Sequence, residues 1–170
     1  MKGRKMGLKE EMALLARHEG VWEGVYRHYG ADGKLADEHR SRVICRFPEE
    51  GGFPYHQTNI FSWADGRSEV QEIPAVYKDG KIWWDTGAVK GWATELVLDE
   101  NHRSLVLYWQ AAADPELYLY EMVQISDCGK KRVRTWHWIR GGDLQSRTAI
   151  EEKLVSRDWQ AADAKLKRAA

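Results

Sequence analysis

The chain has 170 residues, long enough to bury a substantial core within one domain. Lys+Arg and Asp+Glu balance at 26 each, so no global basic field draws it to nucleic acid or an anionic membrane, and neither is expected as a partner. No apolar run is long enough to span a bilayer, and Leu8-Lys-Glu-Glu follows the basic start where a signal peptide needs apolar residues, so a cytoplasmic location is expected.

Leu8, Met12 and Leu15 recur at helical spacing, and Gly20 ends that segment, predicting one amphipathic helix that caps an end of the fold. From Gly20 to Tyr29 the period becomes two. Glu23 and Arg27 mark the solvent face, so Trp22, Tyr26 and His28 are expected inward, with a small-residue gap at Gly24. A glycine-bearing turn over residues 29–34 leads to a strand over 37–47. There Arg40, Arg42 and Arg46 set the outer face and turn His39 inward with Val43, Cys45 and Phe47.

Residues 48–54 are a loop by composition. In the next strand Tyr55, Gln57, Asn59, Phe61 and Trp63 share one side, a mixture of aromatic and amide suited to holding a ligand. Pro74 interrupts the segment 68–78 and predicts an edge or a bend. Further strands are read over 81–86, 91–98, 103–110, 117–125, 131–140 and 144–155. The segment 117–125 is apolar or aromatic on both parities and has no assignable orientation. Ser156 is the expected cap of a last helix carrying Trp159, Ala162 and Leu166 on one face. Cys45 and Cys128 lack metal-like spacing and read as free thiols. Regular strands, short turns and helices only at the ends predict an all-β, closed antiparallel barrel of about ten strands, one domain over 1–170 with the barrel over about 20–156.

Several segments together carry a family resemblance: His18-Glu-Gly-Val-Trp-Glu-Gly, Tyr55-His-Gln-Thr-Asn59, Trp63-Ala-Asp-Gly-Arg67 and Arg134-Thr-Trp-His-Trp-Ile-Arg140. The chain resembles uncharacterised bacterial lipocalin-like (calycin) β-barrels related to the cyanobacterial calycin domain of unknown function DUF3598. That resemblance implies an interior cavity, with the Trp of the opening Gly-x-Trp, here Trp22, plugging the closed end. It also implies an Arg or Lys of the last strand over that Trp. Arg147 is the candidate, although its parity groups it with Glu151 and Lys153. The final strand has no counterpart of the haem histidine of nitrobindins, and no cysteine stands where a bilin would attach. No cofactor is expected.

Candidate chemistry gathers on histidines. Arg132, Arg134 and Arg140 share a parity with Trp136 and Trp138, so charge again marks the outside and His137 is expected inside. A buried imidazole serves as a ligand contact or as an acid–base group. His28, His39 and His137 are also the metal ligands to consider, but parity does not give their heights along the barrel, and no metal site is assigned. Glu152 shares an inward parity with Ile150 and Leu154, while Glu121 is undecided.

The leading expectation is therefore binding of a small, largely apolar or aromatic molecule inside the barrel. Trp22, His28, Gln57, Asn59, Phe61, Trp63 and His137 are the contact residues. The alternative is a cofactor-free lyase, isomerase or cyclase using His137 with His39 or Tyr26. A third reading makes the barrel a scaffold whose outer Trp residues bind a partner, and a homodimer is left open.

Overall fold

The computed structural model describes residues 7–98 and 100–169. Among them, ten strands close into an antiparallel barrel in which each strand pairs with its sequence neighbours and β1 pairs with β10. The strands are β1 (Gly20–Gly30), β2 (Leu35–Arg46), β3 (Tyr55–Ser62), β4 (Ser68–Lys78), β5 (Lys81–Asp85), β6 (Val89–Leu96), β7 (Ser104–Ala111), β8 (Leu117–Ile125), β9 (Lys131–Arg140) and β10 (Asp143–Ser156). Closure leaves every strand with two partners, the all-β answer to exposed backbone edges.

The expected N-terminal helix is two single turns, α1 (Leu8–Glu11) and α2 (Ala13–Ala16), broken where Met12 leaves helical geometry at φ −126° and ψ 72°. The break lets Leu8, Met12, Leu14 and Leu15 all face one barrel end, where they pack with Trp22, Val43 and Phe47. Glu95 of β6 fixes this cap by accepting hydrogen bonds from the Leu14 and Leu15 backbone N–H groups, at 2.7 and 3.0 Å. Trp22 is fully buried beneath it and donates its indole N–H to the His18 carbonyl at 2.9 Å.

The last helix, α3 (Trp159–Ala169), packs on the outside of β1 and β2. Its first turn is capped by Asp158, whose carboxylate accepts from the Ala161 N–H; β10 runs on through Ser156, the residue expected to cap. Arg46 lies outside the barrel, as its parity requires, but α3 buries it. Asp163 and Thr58 accept its N–H groups at 2.7 and 2.6 Å.

Pro74 does not mark an edge strand of an open sheet, because the sheet closes. It marks the stretch where pairing lapses. Residues 68–75 of β4 pair with β3 alone, and pairing with β5 begins only at Val76. A residue without an N–H belongs on that unpaired side.

Candidate functional site

A cavity of about 380 Å³ lies inside the barrel. Its walls are largely apolar, from Ile82, Trp84, Ala93, Leu105, Leu107 and Trp109. Glu69 and Gln71 of β4 face Thr86 and Ala88 of the β5–β6 turn; these lining residues are exposed and mark the mouth. The mouth therefore coincides with the lapse between β4 and β5.

The opposite wall is charged. β9 points Arg132 and Arg134 into the barrel, and both are buried. The register explains how a barrel tolerates them. Arg132 lies across from Glu152 on β10, and Glu121 of β8 reaches Arg134 from the other side. Arg132 Nε donates to Glu152 and Arg134 Nε to Glu121. Arg134 Nη1 also lies 3.5 Å from Glu152 and donates to the Tyr26 hydroxyl at 2.7 Å. Gly24 is Glu152's cross-strand neighbour, and a Cβ there would stand 2.6 Å from Glu152 Cγ, so the gap in β1 is where this carboxylate fits. Burial would raise the Glu152 pKa, but the guanidinium groups of Arg132 and Arg134 prevail and hold it below the usual value.

His137 is consequently on the outer face and exposed, which corrects the inward orientation expected for it. The marker failed because buried arginines with carboxylate partners obey pairing, not exclusion. His137 instead sits at one end of an outer row of cross-strand neighbours, Trp83, Trp92, Tyr108, Tyr120 and His137. The same reversal moves the residue over the plug. Arg132 of β9 lies 4.4 Å from the Trp22 ring centre, whereas Arg147 is exposed. Trp136 and Trp138, expected outside with the arginines of their parity, are inward and partly buried, and Trp136 lines the cavity.

Next to Arg132 is a residue that parity reasoning left out. His18 precedes β1, is buried under the cap and lines the cavity. Burial, with Arg132 and Arg134 nearby, holds its pKa well below the ordinary 6.5, so the ring is neutral. Arg132 Nη1 is 3.3 Å from His18 Nδ1, which must then accept and leave the hydrogen on Nε2. His18 Nε2 and Arg132 Nη2 are both buried without a hydrogen-bond partner. The sequence signal was His18 itself, four residues before the plug Trp.

The remaining candidates separate by height. Gln57 and Asn59 line the cavity, linked in a chain: Tyr55 donates to Gln57 and Gln57 to Asn59, each at 2.8 Å. Trp22, expected as a ligand contact, lies fully buried against Arg132 and is not among the cavity-lining residues. Tyr26, His28, His39, Phe61 and Trp63 gather toward the β1–β2 hairpin, in a ring cluster that Trp136 separates from the cavity. Tyr26 stacks on His39 at 5.0 Å and meets the edge of Trp136 at 5.4 Å. Burial raises the Tyr26 pKa, which keeps its hydroxyl protonated. Burial, together with the neighbouring His39, lowers that of His28.

Solved structures share this barrel. A DUF3598 family protein of unknown function from Nostoc punctiforme PCC 73102 matches with a TM-score of 0.61 at 13% identity, over 83% of this chain and 49% of that one. The chain thus spans about half the length of that protein. Rv2717c from M. tuberculosis matches with a TM-score of 0.58 at 16% identity, covering 85% of this chain and 96% of that one. An S-type phycobiliprotein lyase from Guillardia theta gives 0.61 at 15% identity, covering 89% and 93%. The resemblance to DUF3598-related barrels is thereby supported at the level of fold. No family model matches the chain, and no curated protein matches it in sequence. No helix among the described residues is long and apolar enough to cross a membrane.

Proposed function

We propose that the barrel binds one small, largely apolar or aromatic molecule in the 380 Å³ cavity, with an acceptor group of that molecule directed at His18 and Arg132. The observation that carries this reading is two buried N–H groups without partners, His18 Nε2 and Arg132 Nη2, on residues that line the charged side of a chamber with largely apolar walls. An unmade hydrogen bond at a buried donor costs about 1–3 kcal/mol, more when the donor is charged. Acceptor oxygens of a bound molecule, such as those of a carbonyl or carboxylate, would offset this cost. The apolar walls would take the body of the ligand, and Gln57 and Asn59 would meet a second polar edge. With His137 in solvent, no acid–base role in the barrel is assigned to it.

Native mass spectrometry of freshly purified protein, beside the same sample denatured, tests the proposal. The expected result is a one-to-one adduct that leaves on unfolding and carries a carbonyl or carboxylate. His137→Phe should retain it fully. A chain that carries nothing, and takes up none of a panel of aromatic and aliphatic carboxylic acids, would sink the reading.

A further inference from the structure

A second cluster lies at the other end of the barrel, away from Arg132. The hairpin register creates it. His28 of β1 is paired directly with Asp37 of β2, and His39 is two residues further along β2, on the same face. The register shifts just beyond His28, between His28 and Tyr29, the kind of irregularity that re-aims side chains at a barrel rim. One donor atom from each of the three residues lies within 4.8 Å of the other two.

We propose that His28, Asp37 and His39 form a binding site for a divalent transition-metal ion, with Zn²⁺ the best-suited chemistry. Two imidazole nitrogens and one carboxylate oxygen are a three-ligand set that leaves a coordination position for water. Asp37 Oδ2 and His39 Nδ1 are already 3.2 Å apart, close to the ~3.3 Å spacing implied by two ligands about 2.0–2.1 Å from a tetrahedral ion. The His28 and His39 ring centres are 5.1 Å apart, so the two imidazoles lie side by side next to Asp37.

The surroundings are those of a supported site. The Trp63 indole N–H donates to both Asp37 oxygens, at 3.1 and 3.0 Å, and fixes the carboxylate. Thr148 holds His28 Nδ1 at 2.8 Å, which fixes that ring and leaves its other nitrogen to bind. His39 is buried, and its ring is held against those of Tyr26, Phe61 and Trp63, with centres 5.0, 5.0 and 4.5 Å away. A purely structural network would not need a second imidazole beside the first. Asp37 is 41% exposed, so an ion can enter from solvent at the hairpin end.

The test is calorimetric titration of the chelator-treated, tag-free protein with Zn²⁺, repeated with Co²⁺ while visible absorption and Trp fluorescence are recorded. The expected result is one saturable site per chain, with Co²⁺ giving ligand-field bands and quenching Trp63. Asp37→Asn keeps an acceptor for Trp63 and should fold normally, yet weaken Zn²⁺ binding at least tenfold. His28→Gln and His39→Gln should do the same, while His56→Gln, which removes the imidazole paired with Glu72, should change nothing. Absence of a saturable site in the wild type, or an Asp37→Asn protein that binds Zn²⁺ as the wild type does, would overturn the proposal. Either outcome leaves the cavity reading untouched, because the two sites share no ligand.

Discussion

Glu152 illustrates how one residue can hold a charged interior together. It is enclosed by Arg132 and Arg134, and the three side chains are almost entirely removed from water. Breaking a buried pair by removing one charge typically costs about 3–5 kcal/mol, because the remaining charge is stranded. Glu152→Gln is therefore expected to lower stability by about that amount in chemical denaturation, and a loss below about 1 kcal/mol would show that the network is screened by water. His18 supplies a pH dependence. Its folded-state pKa is depressed from 6.5, so below that pH the unfolded chain takes up a proton that the folded chain refuses. Stability is then full above about pH 6.5 and falls on acidification, by at most about 1.4 kcal/mol per pH unit for one group. Glu152, also depressed, adds a loss in the same direction only below its ordinary 4.5. Unfolding curves of the wild type and His18→Gln between pH 5 and 7 should differ in slope by up to one proton; parallel curves would contradict the assignment.

At the scale of elements, legibility divided cleanly between β1 and β9. In β1 the polar residues Glu23 and Arg27 are outside, so alternation located Trp22, Tyr26 and His28 inside, where the barrel has them. In β9 the same logic inverted every side chain, because Arg132 and Arg134 are paired across strands with Glu152 and Glu121. The conflict was present in the sequence: Glu152 had an inward parity with no stated counter-charge. What period-two reading cannot supply is the register that brings opposite charges level. It likewise could not bring His28 level with Asp37, because that pairing belongs to the hairpin register. Pro74, which suggests an edge or a bend, stands in the part of β4 that β5 does not pair. Hydrogen exchange should detect this. Every second amide of residues 68–75 has no strand to donate to and should exchange well ahead of the amides of residues 21–28 of β1 and 40–45 of β2, which are paired on both sides. Uniform protection around the barrel would mean that the mouth is closed in solution.

Over the whole molecule, closure, cap and cavity follow from one division of labour. The apolar cap and Trp22 seal one end, and the ring cluster around Tyr26 fills the other. Between them the interior is left unfilled, with apolar walls, a lateral mouth and two unpartnered donors. A barrel selected for stability alone would fill that volume, since empty space in a core is destabilising. The most direct measurement of this claim is a fluorescence titration with 1-anilinonaphthalene-8-sulfonate, an aromatic anion of suitable chemistry, against the wild type and Leu107→Trp. Leu107 lines the cavity, and the larger ring would occupy its volume while staying apolar. The wild type is expected to bind one probe per chain saturably, and the variant, folded by circular dichroism, to bind at least tenfold more weakly. Equal binding by the two proteins, or no saturable binding by the wild type, would contradict the account.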